Sequence, residues 1–304
     1  MKTPPYLIKG DKVAIVAPAG KIKKELVNDA KRTLENWGLC VVLGKNVYQE
    51  HFQYAATDKS RLSDLQKALD DNEIKAIFCA RGGYGLIRIM DDIDFSNFKK
   101  MPKWIIGFSD ITILHAHIHS NFGIETLHAT MAAGLKDELS ANTLRNCLFG
   151  QPQNYELKTE SNSRQGRAAG RLVGGNLAIL CSLIGTPSDM DTTGKILFIE
   201  DIGEYLYRLD RMMWQLKRAD KLKNLAGLVV GGFTDMKDND NPFGKSAYEI
   251  ITEAVEETNY PVCFGFPSGH QQDNRALFLG RSAILSINQL TTLNFEHRTI
   301  SNHG

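Results

Sequence analysis

The chain has 304 residues, 42% of them hydrophobic, and its 36 Lys+Arg nearly cancel 35 Asp+Glu for a formal net charge of +1. At roughly 150 residues per domain this is room for about two domains of ordinary globular composition, and the balance gives no globally basic surface of the kind nucleic-acid phosphates select. No apolar run approaches the roughly 20 residues that cross a bilayer, since the strongest, Val13 to Ala17, is stopped by Pro18 and Gly20; neither nucleic acid nor membrane is expected as a partner.

Met1-Lys2-Thr3-Pro4-Pro5 is followed by the polar Lys9 to Lys12 patch rather than an apolar signal core, so export is not expected and a cytoplasmic location is. Val13 to Ala17 then has the pattern of a buried strand, and Glu25 to Trp37 that of an amphipathic helix. Cys40 to Leu43, the helix from Ser60 to Leu69, the strand Ile74 to Cys79 and the strand Trp104 to Gly107 continue the alternation. Strands apolar on both faces, separated by amphipathic helices, require a parallel sheet covered on both sides, so residues 1–150 are expected to be doubly wound α/β.

Residues 151–168 are polar and without the periodicity of a buried element, which marks them as a linker. Beyond it, strands near Leu197 to Ile199, Leu225 to Val230, Val262 to Phe264 and Ala283 to Ile287 alternate with helices near Asn176 to Leu183, Leu209 to Ala219 and Ser246 to Glu256. Residues 169–304 are therefore expected to form a second, mixed α/β domain, with a frayed tail from His297. The five cysteines (Cys40, Cys79, Cys147, Cys181, Cys263) are odd in number and widely spaced, which favours free buried thiols over disulfides or a thiolate zinc site.

Chemistry concentrates in a few places. In Gly107-Phe108-Ser109-Asp110 a buried strand meets a helix through a small residue and a serine, the layout of a nucleophile elbow, with the Asp110 N–H facing an oxyanion. The plainer alternative is that Ser109 caps the helix. Gly269-His270 lies in a polar, glycine-flanked loop that puts an imidazole within reach of solvent, as a base or as an ordinary surface histidine. Glu200 and Asp201 end an apolar strand, where either can hold that imidazole or cap the next helix. His115 and His119 have the spacing of a metal pair without a completing ligand, so packing or solvated roles are expected, and His51, His297 and His303 sit in polar surroundings. Arg81-Gly82-Gly83-Tyr84-Gly85 follows a strand and offers a backbone cradle for an oxyanion or carboxylate, lacking the last glycine of a dinucleotide fingerprint.

Together these segments, with Gly174-Gly175-Asn176-Leu177 and with Glu204, Tyr207, Asp210 and Arg211 at helical spacing, resemble the LD-carboxypeptidase family of serine peptidases. The resemblance runs in order from about Gly10 to about Gly280. It implies a flavodoxin-like amino-terminal domain joined to a swivelling α/β carboxy-terminal domain. It also implies a triad of Ser109, His270 and Glu200 divided between the two, with oxyanion donors at Asp110 and Gly83. The activity it implies is removal of the terminal D-alanine from a murein tetrapeptide or muropeptide, without metal or cofactor, by a cytoplasmic homodimer of peptidoglycan recycling. A substrate ending in a carboxylate has Arg81 or Arg275 as its bidentate partner. Three alternatives remain: a microcin C immunity type of hydrolase acting on peptidyl or aminoacyl adenylate analogues, a two-domain binding protein without catalysis, and a glutamine-amidotransferase-like hydrolase using Cys79.

Overall fold

The structure is a computed structural model and describes residues 1–298; residues 299–304, which include His303 and most of the tail expected to fray, lie outside it. The first sheet contains β1 (Lys12–Val16), β2 (Cys40–Leu43), β3 (Ile74–Cys79), β4 (Trp104–Gly107) and β5 (Thr126–His128). These five run parallel in the spatial order β2-β1-β3-β4-β5, the flavodoxin-like order. β4 is buried at every residue, as a central strand covered on both faces must be. The covering helices are α1 (Lys24–Asn36), α2 (Asp58–Asp70), α3 (Ser96–Lys100), α4 (Thr112–Phe122) and α5 (Glu138–Leu148). α1 buries Val27, Ala30 and Leu34 along one stripe, and α2 starts where the Thr57 side chain accepts the Ser60 N–H.

The second sheet is built from β6 (Asn154–Lys158), β7 (Gly166–Asn176), β8 (Ile196–Ile202), β9 (Gly227–Thr234) and β10 (Val262–Cys263), with β12 (Ser282–Ile287) and β13 (Leu290–Phe295). β7 to β10 are parallel, and β12, β13 and β6 extend them antiparallel. Its helices are α6 (Leu177–Leu183), α7 (Leu206–Arg218) and α8 (Ala247–Ala254), the last opened by a Ser246/Glu249 capping box.

Three expectations are corrected. The segment 151–168 is not a bare linker, because it carries β6 and the start of β7. β6 is an edge strand with Tyr155 turned inward and charged neighbours turned out, so its polarity reflects one solvated face rather than a lack of structure. Nor does the chain beyond residue 169 stay in its own sheet: β11 (Leu277–Leu279) returns to the first and pairs antiparallel with β5. Cys40 is also exposed, on the outermost parallel strand, whereas the other four thiols are free and buried.

The halves share a continuous apolar core from Ile105 and Ile113 through Leu177 to Leu197 and Leu209. They approach closely at Gly175, φ +146, where a Cβ would lie 2.5 Å from Thr112 Oγ1. The same hydroxyl accepts the Asn176 N–H at 3.1 Å, which fixes the start of α4 against the end of β7. No helix of the described residues is long and apolar enough to cross a membrane.

Candidate active site

β4 ends at Gly107, where any side chain would meet Ile111 at 2.8 Å. Phe108 stays extended, and Ser109 then takes φ +63 before a single 3-10 turn, Ser109–Ile111, leads into α4. A non-glycine residue in the left-handed region is uncommon and costs conformational energy, and such strain concentrates where a side chain must be presented. This is the elbow. Ser109 is not a helix cap, because Phe108 holds that position for the 3-10 turn and Ile111 for α4, and no side-chain cap hydrogen bond is made at either.

Over the elbow lies the glycine turn that follows β3. A Cβ on Gly82 would fall 2.7 Å from Ser109 Cβ and 2.9 Å from its Oγ, so only glycine fits. The Gly82 carbonyl accepts the Gly20 N–H at 2.8 Å. In a trans peptide the N–H points opposite to the carbonyl, so the Gly83 N–H is directed away from Gly20; among the described residues it has no backbone acceptor. Asp110 reaches under the same turn, its Oδ2 accepting the Leu86 N–H at 2.8 Å, and burial lifts its carboxyl pKa to about 6. Arg81 donates to the Lys21 carbonyl at 2.9 Å and lines the cleft.

The facing wall comes from the second sheet. β8 is a central strand buried at every residue from Ile196 to Asp201, so the consecutive acids Glu200 and Asp201 are both buried, and its pairing with β9 shifts register between Ile199 and Asp201. Glu200, fully buried, accepts from His270 Nδ1 at 2.6 Å and from the His270 N–H at 3.1 Å, both at Oε2. Gly269, at φ +109, allows this approach, since a Cβ there would meet Glu200 Cβ at 2.7 Å. With Nδ1 committed as donor, Nε2 is left as the basic nitrogen. Burial of the ring disfavours its charged form, but the hydrogen bond and charge of Glu200, with Asp201 behind, outweigh this and hold the imidazole above its ordinary pKa. Asp201 serves the backbone instead, accepting from Asn176 Nδ2, Ala178 N–H and Ile202 N–H, and so anchors the start of α6.

Ser109, His270, Phe108, Arg81, Gly82 and Gly83 line one cavity of about 630 Å³, a size suited to a small ligand. Phe108 meets the His270 ring edge-on, with centroids 4.8 Å apart, and its other side faces His128 at 5.7 Å. No sequence pattern singles out His128. It is fully buried with both ring nitrogens unpartnered, and burial drives its pKa well below the ordinary value; only its place at the end of β5, beside the site, marks it.

Other candidates separate from the site. Arg275 is held by Asp273 at 3.0 Å and is not among the residues that line the cleft, whereas Arg81 is. Cys79 is fully buried and burial pushes its thiol pKa far up, so it is inert. His115 and His119 pack internally, on the Gly107 carbonyl and the Thr126 hydroxyl. The Tyr207 ring lies 5.4 Å from the Arg211 guanidinium, away from the cleft. Among the described residues, no group of three or more His, Cys, Asp or Glu side chains is placed to hold a metal ion.

A parallel sheet presenting a strained serine opposite a carboxylate-held histidine defines a serine hydrolase architecture, and comparison with known proteins makes it specific. Residues 13–129 match the LD-carboxypeptidase N-terminal domain and residues 169–285 the LD-carboxypeptidase C-terminal domain; the chain belongs to the LD-carboxypeptidase family. It is 38% identical over 297 residues to the "Probable murein peptide carboxypeptidase" of Bacillus subtilis (strain 168), covering 95% of this chain and 93% of that protein. The murein tetrapeptide carboxypeptidase of Pseudomonas aeruginosa is 32% identical over 293 residues, covering 92% of this chain and 94% of that protein. Among solved structures, a muramoyltetrapeptide carboxypeptidase from Oxalobacter formigenes superposes with a TM-score of 0.86 at 28% identity, over 95% of this chain and 100% of that one. An MccF-like protein from Bacillus anthracis shares the fold, with a TM-score of 0.84 at 23% identity over 98% of this chain and 100% of that one.

Proposed function

We propose that the chain is a metal-independent serine LD-carboxypeptidase that removes the terminal D-alanine of a murein tetrapeptide in cytoplasmic peptidoglycan recycling. One observation carries the reading: the strained Ser109 shares a cleft with His270, whose Nδ1 is committed to the buried Glu200. The names of the relatives at 38% and 32% identity support the substrate class.

In this mechanism His270 Nε2 takes the Ser109 proton as Oγ bonds to the carbonyl carbon preceding D-alanine. The N–H groups of Asp110 and Gly83 receive the oxyanion. Collapse breaks the C–N bond, His270 returns its proton to the departing D-alanine amine, and Arg81 pairs with the substrate's terminal carboxylate. Water, deprotonated by His270, then cleaves the acyl ester and frees the tripeptide. Glu200 holds the productive tautomer and balances the imidazolium.

The test is incubation with L-Ala-γ-D-Glu-diaminopimelate-D-Ala in the presence of a chelator, with released D-alanine measured by mass spectrometry. Wild type is expected to release it and Ser109→Ala to lose roughly 10⁴-fold or more. Full activity in Ser109→Ala ends the proposal. Turnover of an aminoacyl adenylate analogue in place of the tetrapeptide transfers the site to the immunity type of substrate.

A further inference from the structure

The turn that carries Gly82 and Gly83 is held from beneath by a side chain outside the cleft. Arg61, on α2, is fully buried, an uncommon state for arginine unless it has fixed partners. Its Nη1 donates to two carbonyls, those of Pro18 and of Gly85, the latter at 2.8 Å. Its Nη2 pairs with Asp58, which is gripped from outside by Arg88 at 2.8 Å.

The two carbonyls belong to the two loops that define the Gly82–Gly83 peptide. The Pro18 loop carries Gly20, whose N–H holds the Gly82 carbonyl. The Gly85 carbonyl shares a peptide plane with the Leu86 N–H, which Asp110 accepts at 2.8 Å. That one peptide is therefore fastened at its oxygen by a buried cation and at its nitrogen by a buried carboxylate that follows the serine in sequence. Tight packing excludes easy substitution: a Cβ on Gly85, at φ +137, would meet Arg61 Nη1 at 2.8 Å and Tyr54 at 2.9 Å.

We propose that Arg61 is a positioning residue of the oxyanion site: by tying the Pro18 and Gly85 carbonyls together it sets the direction in which the Gly83 N–H points. It touches no substrate and acts only through the turn. The inference rests on the reading of Ser109 as a nucleophile, so the experiment has two readouts. One is tetrapeptide turnover. The other is the rate at which a fluorophosphonate probe labels Ser109, a reaction in which Oγ bonds to phosphorus, fluoride leaves, His270 takes the proton and the phosphoryl oxygen draws on the same N–H donors.

In full-length Arg61→Met, labelling rate and kcat are expected to fall together by about 100-fold, with KM within about threefold, as for loss of an oxyanion donor. Arg61→Lys, which keeps a buried cation and donors, is expected to recover about tenfold of that loss. Arg61→Gln, with a single amide donor group, replaces Arg61→Met if circular dichroism finds the latter unfolded, and is read by the same criterion. Wild-type rates in a folded Met or Gln variant, or a loss confined to KM, overturn the proposal. A wild type that labels but leaves the tetrapeptide intact refutes the substrate and leaves the Arg61 test standing, whereas an unlabelled wild type removes Ser109 as nucleophile and both proposals with it.

Discussion

The two walls of the cleft are built by different physics. On the first-sheet side, position is set by backbone geometry: a serine at φ +63, a Gly82 with no room for a methyl group, a peptide fastened at both poles. Its histidines, His115, His119 and His128, are buried and held neutral by desolvation. On the second-sheet side, position is set by charge: a buried Glu200 takes two hydrogen bonds from one residue and holds His270 above its ordinary pKa. The same kind of side chain is thus tuned in opposite directions across one cleft, by burial without a charged partner and by burial with one. Damage to the first wall is therefore steric, and damage to the second electrostatic.

Glu200→Gln is the sharpest probe of the charged wall. It preserves size but removes the charge that favours the imidazolium and adds an amide donor that can face Nδ1 and favour the wrong tautomer, and kcat is expected to fall by roughly 10⁴-fold. Gly82→Ala probes the other wall, forcing a Cβ to within 2.7 Å of Ser109 Cβ. Displacement of the serine is expected to cost about 100-fold in kcat, with an unchanged pH profile in steady-state kinetics. A pH-independent loss in Glu200→Gln together with a pH shift in Gly82→Ala would reverse the assignment of the two walls.

Acidification separates the walls a third way. As the proposed base His270 acts only when neutral, and its pKa is raised, so kcat/KM is expected to fall on the acid side through a midpoint above the ordinary 6.5. In Glu200→Gln the residual activity should show that midpoint moved lower. Stability follows the other histidines. His115, pushed down to about 4, and His119, to about 3, stay neutral where unfolded histidines take up protons at 6.5, so acid favours the unfolded chain. Asp110 and Asp201, lifted by burial to about 6, bind protons more readily when folded and oppose this, as does His270. The histidine shifts are the larger, with His128 adding to them, and calorimetry is expected to show a lower melting temperature at about pH 5 than at about pH 7. The smallest effect belongs to Cys79→Ala: kcat/KM within about twofold and a stability loss of about 1 kcal/mol. A large kinetic loss there would place a second nucleophile in the first wall.

What can be seen in the sequence follows the same division. Ser109, His270 and Glu200 stand in local patterns, a strand meeting a helix, a polar loop, an acid at a strand end, and local patterns survive in one dimension. The choice between Glu200 and Asp201 does not, because both are buried on a strand covered on both faces and only the folded packing gives His270 to Glu200 and the start of α6 to Asp201. Arg61 reads like any helix charge, and its partners at Pro18 and Gly85 are 43 and 24 residues away in sequence. β6 stays hidden because a half-solvated edge strand of five residues contains only two inward positions, Tyr155 and Leu157. The strands of the first sheet are legible up to β4; the three-residue β5 is too short to show a period, and the strand that pairs with it lies about 150 residues further on in the chain and carries no mark of its destination.

That returning strand has a consequence for how the protein is made. Ribosomes deliver the amino-terminal half first, and by residue 150 the residues of all five parallel strands of the first sheet and their helices have been made. β5 is then an open edge whose three residues are all buried in the finished fold, and it stays open until Leu277–Leu279 emerge. A nascent chain therefore carries Ser109 long before it carries a closed sheet or His270, the base proposed for it. Closure late in synthesis is expected to delay folding, since long-range pairing costs loop entropy before it is rewarded. On the proposed roles of Ser109 and His270, fragments ending near residue 150 are expected to associate through β5 and remain unreactive, and activity is expected only when nearly the whole chain has been released.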